Sequence, residues 1–263
     1  MNILDQIIAS KKREVALKKS IIPIKQLEQS VLFERKTASL VQHISNSSSG
    51  IIAEHKRRSP SKSIINQSDA VEDIVKSYEN GGASGISILT DNQYFGGSLD
   101  DLILARATTN LPLLRKDFMV DEFQIIEAKS FGADVILLIA AVLTREEIKQ
   151  FSELAKSLNL EVLLEIHNQE ELNKSIMPTL DLIGVNNRNL KTFEVNLEYS
   201  KQLADHIPSE FIKISESGID SPETVLELQK YGFQGFLMGE YFMKSKNPEN
   251  EMKEFIKKIT RKV

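Results

Sequence analysis

The stretch Gly132-Ala133-Asp134-Val135-Ile136-Leu137-Leu138-Ile139, the amphipathic run that follows it, and then Glu161-Val162-Leu163-Leu164-Glu165-Ile166 decide the reading of the fold. A short apolar run, a longer amphipathic stretch and a second short apolar run make a strand, a crossover helix and a parallel strand. Outward in both directions the texture repeats until there are eight such units. The expected strands are Ile51 to Glu54, Gly85 to Leu89, Leu111 to Arg115, Val135 to Ile139, Glu161 to Ile166, Leu182 to Val185, Phe211 to Ile214 and Gly235 to Met238. Turn and start signals bound them: Gly81-Gly82 before the second, Gly132-Ala133-Asp134 before the fourth, Ser221-Pro222-Glu223 opening the seventh helix and Gly232 closing it. Periodicity does not separate an open sheet from a closed one. Eight units of similar length, with no dinucleotide fingerprint after the first strand, favour closure. The length of 263 residues suits an α/β fold of the (β/α)8 TIM barrel type, which takes about 250.

Before the first strand, Met1 to about Ile44 reads as two or three short helices, with Pro23 separating the first from the next. Ser45-Asn46-Ser47-Ser48-Ser49-Gly50 reads as a linker. We therefore expect one domain over 1–263, with 1–45 a helical extension and 50–263 the barrel. The extension is basic, with eight Lys/Arg against four Asp/Glu, while the whole chain carries −4. A basic arm on an acidic body invites a nucleic-acid reading. The charges lie on helical faces without interleaved aromatics, so a solvated face packed on the barrel is preferred and no nucleic-acid partner is expected.

Hydrophobic residues at 41% and charged residues at 27% give ample material for a large core. There is no cysteine, which excludes disulfides, thiolate metal ligation and thiol nucleophiles and suits a cytoplasmic protein. The longest strictly apolar run, Val135 to Leu143, falls far short of the roughly 20 residues that cross a bilayer. Ile3, Leu4, Ile7 and Ile8 recur at helical spacing among charges, so the amino terminus reads as a helix and not a signal peptide. A monomer is expected.

A barrel of this kind carries its chemistry on the strand ends and loops of the carboxyl-terminal face. Charged and polar residues gather there: Glu54 and Lys56 after the first strand, Lys116 after the third, Glu165 at the fifth, and Asn186 with Arg188 at the sixth. Residues two apart on a strand share a face, so Glu54 pairs with Lys56, and Asn186 with Arg188 if the strand persists that far. Lysines and carboxylates crowded at one mouth shift each other's proton affinity, which suits general acid and base work. His55 faces the other way and is read as structural. Ser215-Glu216-Ser217-Gly218 after the seventh strand and Gly239-Glu240 after the eighth sit where barrels hold phosphate on backbone N–H groups. Lys56-Arg57-Arg58-Ser59-Pro60-Ser61 adds cations and hydroxyls beside the same mouth and reads as part of the anion site. The substrate expected is a small phosphorylated molecule.

Residues 51 to 61, Ile-Ile-Ala-Glu-His-Lys-Arg-Arg-Ser-Pro-Ser, begin a series of motifs that resembles the indole-3-glycerol phosphate synthase family over essentially the whole chain. The others are Ser87-Ile88-Leu89-Thr90 with Tyr94-Phe95-Gly96-Gly97-Ser98, Leu114-Arg115-Lys116-Asp117-Phe118, Leu164-Glu165-Ile166-His167, Gly184-Val185-Asn186-Asn187-Arg188-Asn189-Leu190 and Ser215-Glu216-Ser217-Gly218-Ile219. The resemblance implies conversion of 1-(2-carboxyphenylamino)-1-deoxyribulose 5-phosphate to indole-3-glycerol phosphate, with no metal and no organic cofactor. It also implies that the helical extension lies over the catalytic face. Carried over, Lys116 is the general acid, Glu165 stabilises developing positive charge and joins later proton transfers, and Lys56 and Arg188 hold the substrate carboxylate. Glu54 and Asn186 fix these groups. Ser59, Ser217, Gly218, Gly239 and Glu240 surround the phosphate, Phe95, Phe118 and Leu137 enclose the aromatic ring, and Glu216 and Leu237 also belong to the substrate-binding set. Glu240 stands where many members have serine, so its N–H is expected to serve while its side chain turns away. A related barrel, phosphoribosylanthranilate isomerase, uses a cysteine base that this chain lacks. The alternative reading is a non-catalytic barrel that binds phosphometabolites as a sensor or scaffold.

Overall fold

The computed structural model describes residues 2–60, 62–66, 69–189 and 192–260. Met1, Ser61 of the first loop, Leu190 of the sixth-strand motif and residues 261–263 lie outside the described residues. In chain order come α1 (Ile3–Ile21), α2 (Ile24–Glu28), α3 (Leu40–Ser45), β1 (Ile51–His55), α4 (Val71–Gly81), β2 (Gly85–Leu89), α5 (Asn92–Phe95), α6 (Leu99–Thr108), β3 (Leu113–Lys116) and α7 (Glu122–Ser130). There follow β4 (Val135–Ile139), α8 (Arg145–Ser157), β5 (Glu161–Ile166), α9 (Gln169–Ser175), β6 (Leu182–Asn186), α10 (Glu198–Ala204), β7 (Ile212–Glu216), α11 (Pro222–Gln229), β8 (Gly235–Met238), α12 (Glu240–Met243) and α13 (Pro248–Thr260). Each strand pairs in parallel with the next and β8 closes on β1 through Ile51↔Phe236, Ile52↔Leu237 and Ala53↔Met238, so the sheet is a closed (β/α)8 barrel.

The strands are apolar on both faces because both faces are buried. Ile51, Ala53, Ile86, Ile88, Ile136 and Leu138 pack against the helices, while Ile52, Leu114, Leu137, Leu163 and Ile214 fill the barrel. Residues of even number in β1 therefore point inward, and Glu54 goes with them. His55 points to the helix layer, 1% exposed, as expected.

The expected bounds hold for β2, β4, β5 and β8, while β1 and β6 each run one residue further, to His55 and Asn186. β3 and β7 are displaced toward the carboxyl end. At the start of β3, Pro112 has no N–H to give a ladder. At the far ends the ladder continues under polar side chains: Thr90 N donates to the Lys116 carbonyl at 3.2 Å and Asn187 N to that of Glu216 at 2.9 Å. The apolar run stops before the strand does.

The extension contains three described helices, and the first, with 19 residues, is not short. Asn2 and Asp5 form a capping box at its start, and Pro23 is the N-cap of α2. α3 plugs the amino-terminal end of the barrel, where Leu40 and Ile44 join the inner apolar cluster. Its amino terminus is held by the Glu161 carboxylate, which accepts from Ser39 Oγ, from Leu40 N at 2.7 Å and from Val41 N at 3.1 Å. The serine-rich stretch is a packed turn and not a slack linker: Ser47 Oγ accepts from the N–H groups of Ser49 and Gly50, both at 3.1 Å. Gly50 has φ +62°, and any Cβ there would overlap the Gln234 carbonyl.

The solvated basic face also needs correction. Lys11 is 1% exposed and bonds Asp91 and Asp117, both at 3.0 Å; Lys18 reaches Glu127 at 3.3 Å, Lys19 reaches Asp121 at 2.7 Å and Arg35 reaches Asp134 at 2.5 Å. Half of the arm's eight cations are thus matched by carboxylates of the barrel of its own chain, while Lys12, Arg13, Lys25 and Lys36 keep an exposed face.

Candidate active site

Inside the carboxyl-terminal mouth, β1, β3, β5 and β7 each turn one charged side chain inward: Glu54, Lys116, Glu165 and Glu216. All but Lys116 are nearly inaccessible. Lys116 Nζ lies 2.5 Å from Glu216 Oε2, 3.8 Å from Glu165 Oε2 and 4.0 Å from Glu54 Oε2. A second ammonium, Lys56, is 2.7 Å from Glu54 Oε1. Alternation places these residue types here, because each is the last inward-facing position of its strand.

The arrangement puts three carboxylates around one shared ammonium. Burial alone would lower the Lys116 pKa, but Glu216, Glu54 and Glu165 together hold it above the ordinary lysine value. Burial would likewise raise Glu54; Lys56 and then Lys116 hold it below the usual carboxylate range. Glu216 goes the other way. Its burial, with Glu165 and Glu54 nearby, outweighs the Lys116 ammonium and pushes the carboxyl up to about 7. That Lys116 and Glu216 both shift upward across one 2.5 Å contact is consistent, since two ammoniums, Lys116 and Lys56, cannot neutralise three buried carboxylates and a proton on Glu216 relieves the excess. Gly184 makes room for this carboxylate, because a Cβ there would overlap Glu216 Oε1.

All sixteen residues singled out for the site line one cavity: Glu54, Lys56, Ser59, Phe95, Lys116, Phe118, Leu137, Glu165, Asn186, Arg188, Glu216, Ser217, Gly218, Leu237, Gly239 and Glu240. Phe95 and Phe118 face each other with ring centroids 6.0 Å apart. β6 ends at Asn186, so Arg188 is not its strand neighbour; it sits on an isolated bridge to Val195, with its N–H donating to Asn186 Oδ1 at 3.0 Å. Ser217 and Gly218 both have positive φ, +67° and +76°, which turns the chain sharply after β7. Glu240 opens α12, and its carboxylate is held at about 2, against partial burial, by Lys244 at 2.5 Å and by Lys62.

Two members of the first loop are engaged elsewhere. Arg57 forms a bidentate pair with Asp101 at 2.5 and 2.8 Å, and Arg58 donates to the Asn92 and Gln93 carbonyls at 2.8 and 3.1 Å. Both arginines tie the loop down, so neither belongs with the anion-facing cations.

Several neighbours were not read from the sequence. Ile3, Leu4 and Ile7 of α1 roof the cavity, so the extension does cover this mouth. Their helical spacing was visible, but spacing does not say what a helix covers. Lys11 fastens that roof to Asp117, the residue after Lys116, and Asp117 also accepts from Thr90 Oγ1 at 2.6 Å and Arg115 Nη2 at 3.2 Å. Asn187, fully buried, donates to Ser215 Oγ and to the Glu216 and Ser217 carbonyls at 2.9 to 3.1 Å, joining the sixth and seventh loops. A doubled asparagine was the sole signal for it.

No helix among the described residues is long and apolar enough to cross a membrane. The family model described as indole-3-glycerol phosphate synthase matches residues 4–255. A protein of that name from Bacteroides thetaiotaomicron is 48% identical over 258 residues, covering 98% of this chain and 99% of its own. One from Caldanaerobacter subterraneus subsp. tengcongensis is 40% identical, with 98% of each chain covered. Among solved structures, a mutant tryptophan synthase alpha-subunit from Pyrococcus furiosus superposes with a TM-score of 0.60 at 15% identity, over 80% of this chain and 97% of that one. At that identity the likeness concerns the barrel alone.

Proposed function

The chain belongs to the indole-3-glycerol phosphate synthase family, and from that premise we propose how the residues of its mouth divide the work. The enzyme is a carboxy-lyase: it closes the ring of 1-(2-carboxyphenylamino)-1-deoxyribulose 5-phosphate with loss of carbon dioxide and water. The observation that carries the assignment is the Lys116 ammonium held inside the barrel by three carboxylates from three other strands.

In the first step the ring carbon bearing the carboxylate attacks the substrate carbonyl carbon. The carbonyl oxygen becomes a hydroxyl by taking the proton of Lys116 Nζ. Positive charge then develops on the anilino nitrogen, and the Glu165 carboxylate stabilises it. Loss of carbon dioxide returns the bonding electrons to the ring. Dehydration follows, in which the hydroxyl leaves with a proton from Lys56 or Lys116 and a ring-adjacent carbon gives up a proton to a carboxylate. Glu216, 2.5 Å from Lys116, is placed to return a proton to it, and a carboxyl at about 7 can do so near neutral pH.

Binding follows the same polarity. Lys56 and Arg188 hold the substrate carboxylate, Glu54 and Asn186 fix Lys56 and Arg188, and the Phe95–Phe118 pair with Leu137 and Leu237 encloses the aromatic ring. Backbone N–H groups around Ser217, Gly218, Gly239 and Glu240, with Ser59, take the phosphate. The Glu240 side chain is committed to Lys62 and Lys244 and so does not repel it. Because every one of these groups comes from one chain, and the extension is ion-paired into the barrel, we read the protein as one domain working as a monomer. A cysteine-free biosynthetic enzyme suits the cytoplasm.

An absorbance assay with the carboxyphenylamino-deoxyribulose phosphate tests the assignment. Wild type is expected to form indole-3-glycerol phosphate, and Lys116→Ala to lose at least about 100-fold in kcat. Saturable binding without turnover by folded wild type would instead establish a sensor or scaffold.

A further inference from the structure

His167 follows β5 directly and takes no part in the scheme above. Its side chain is only 13% exposed, and Nδ1 lies 3.2 Å from Glu171 Oε2. The same oxygen accepts the His167 main-chain N–H at 2.8 Å, while Glu171 Oε1 accepts from Asn168 Nδ2 at 3.0 Å. Glu171 is itself fixed, because its N–H is capped by Asn168 at the start of α9. A carboxylate so placed keeps a proton on Nδ1 and sets the plane of the ring.

That orientation aims Nε2 at the active site. It lies 3.6 Å from Glu165 Oε1, is buried, and has no hydrogen-bond partner among the described residues. At 3.6 Å the pair is not yet hydrogen bonded, and a closure of under about 1 Å would make it so.

We propose that His167 is a positioning residue for Glu165, its protonated Nε2–H donating to Glu165 Oε1 and holding that carboxylate where charge develops. The proposal rests on the role given to Glu165 above. Deprotonation leaves a lone pair facing the carboxylate oxygen, so the bond is present at low pH and lost as pH rises. The groups facing the imidazole are Glu165 from β5, Glu171 from α9 and Glu216 from β7. All three are carboxylates, and the Lys116 ammonium contacts Glu165 and Glu216. Burial disfavours the imidazolium, but these carboxylates outweigh it and raise the His167 pKa above its ordinary value. His167 therefore sets one alkaline limb of the kcat profile, beside the one that loss of the Glu216 proton brings.

The test measures kcat and KM against pH for the full chain and its His167→Ala, His167→Gln, Glu171→Gln and Glu165→Gln variants, with an imidazole NMR titration of wild type. His167→Ala should lose about 10- to 100-fold in kcat at neutral pH, with KM little changed and this alkaline limb gone while that of Glu216 remains. His167→Gln, which keeps an N–H donor but does not titrate, should recover most of kcat without the limb. Glu171→Gln should move the limb to lower pH. The NMR titration should show an Nδ1-protonated neutral ring whose midpoint matches the limb. An alkaline side of the profile unchanged in both His167 variants, or an Nε2-protonated neutral ring, overturns the proposal. Glu165→Gln separates the two readings: its inactivity alongside normal His167 variants defeats the positioning role alone, whereas its full activity defeats the role of Glu165.

Discussion

The two ends of the barrel treat buried charge in opposite ways. At the amino-terminal end, Asp134 is wholly buried and fully matched: one oxygen takes Arg35 at 2.5 Å and Ala38 N at 2.8 Å, the other Arg106 and Leu113 N, both at 2.8 Å. At the carboxyl-terminal mouth three carboxylates compete for Lys116, and Glu216 keeps one oxygen without a partner among the described residues. A saturated ionic cluster has no proton to give. An under-neutralised one keeps a proton exchangeable near neutral pH, at Glu216, which is what acid and base steps require.

The sharpest way to break this contrast is Asp134→Ala. It strands Arg35 and Arg106 and should cost about 3–5 kcal/mol in chemical denaturation, with kcat per folded molecule retained. If activity fell more than stability, the two ends would not be separable.

His55 extends the comparison to the outer side of the mouth. Burial, and then Arg57, depress its pKa from 6.5 to about 4. The unfolded chain therefore binds the extra proton in that window, so stability is complete above pH 6.5 and falls as pH drops toward 4. Thermal or urea scans across the window should show a loss approaching roughly 3 kcal/mol that His55→Leu abolishes.

Glu216→Gln sharpens the mouth itself. A carboxyl raised to about 7 contributes stability fully below its unfolded value of 4.5 and loses it as pH rises through 7. At pH 8 the glutamine variant should be more stable than wild type by about 1–3 kcal/mol while its kcat falls. A variant less stable at that pH would mean that Glu216 is satisfied after all. The smallest effect belongs to Lys19→Ala: its pair with Asp121 is partly exposed, and its loss should cost under about 1 kcal/mol.

The sequence carried the barrel because strand positions buried on two faces must be apolar, as Val135–Ile139 and Gly85–Leu89 show. It pointed to the candidate site for the converse reason, since charges at the ends of alternate strands break that rule together. The same logic misplaced the ends of β3 and β7: Lys116, Ser215 and Glu216 look like loop residues, and only main-chain hydrogen bonds reveal them as strand. Ionic partners were less legible still. Nothing in the pattern around Lys11 points to Asp91 and Asp117, nor from Arg57 to Asp101, because pairing across the fold leaves no period. The turn at Ser45 to Gly50 read as slack for a similar reason, since composition reports polarity and not what lies against Gly50.

The roof helix α1 has a history set by its partners. It is made before Asp91 and Asp117, which receive Lys11, and before Glu127, which receives Lys18. A buried ammonium without its carboxylates costs several kcal/mol, so α1 cannot settle before β3 and α7 are in place. A segment made before the barrel is thus among the last to find its seat, and the cavity acquires its ceiling only after its walls stand.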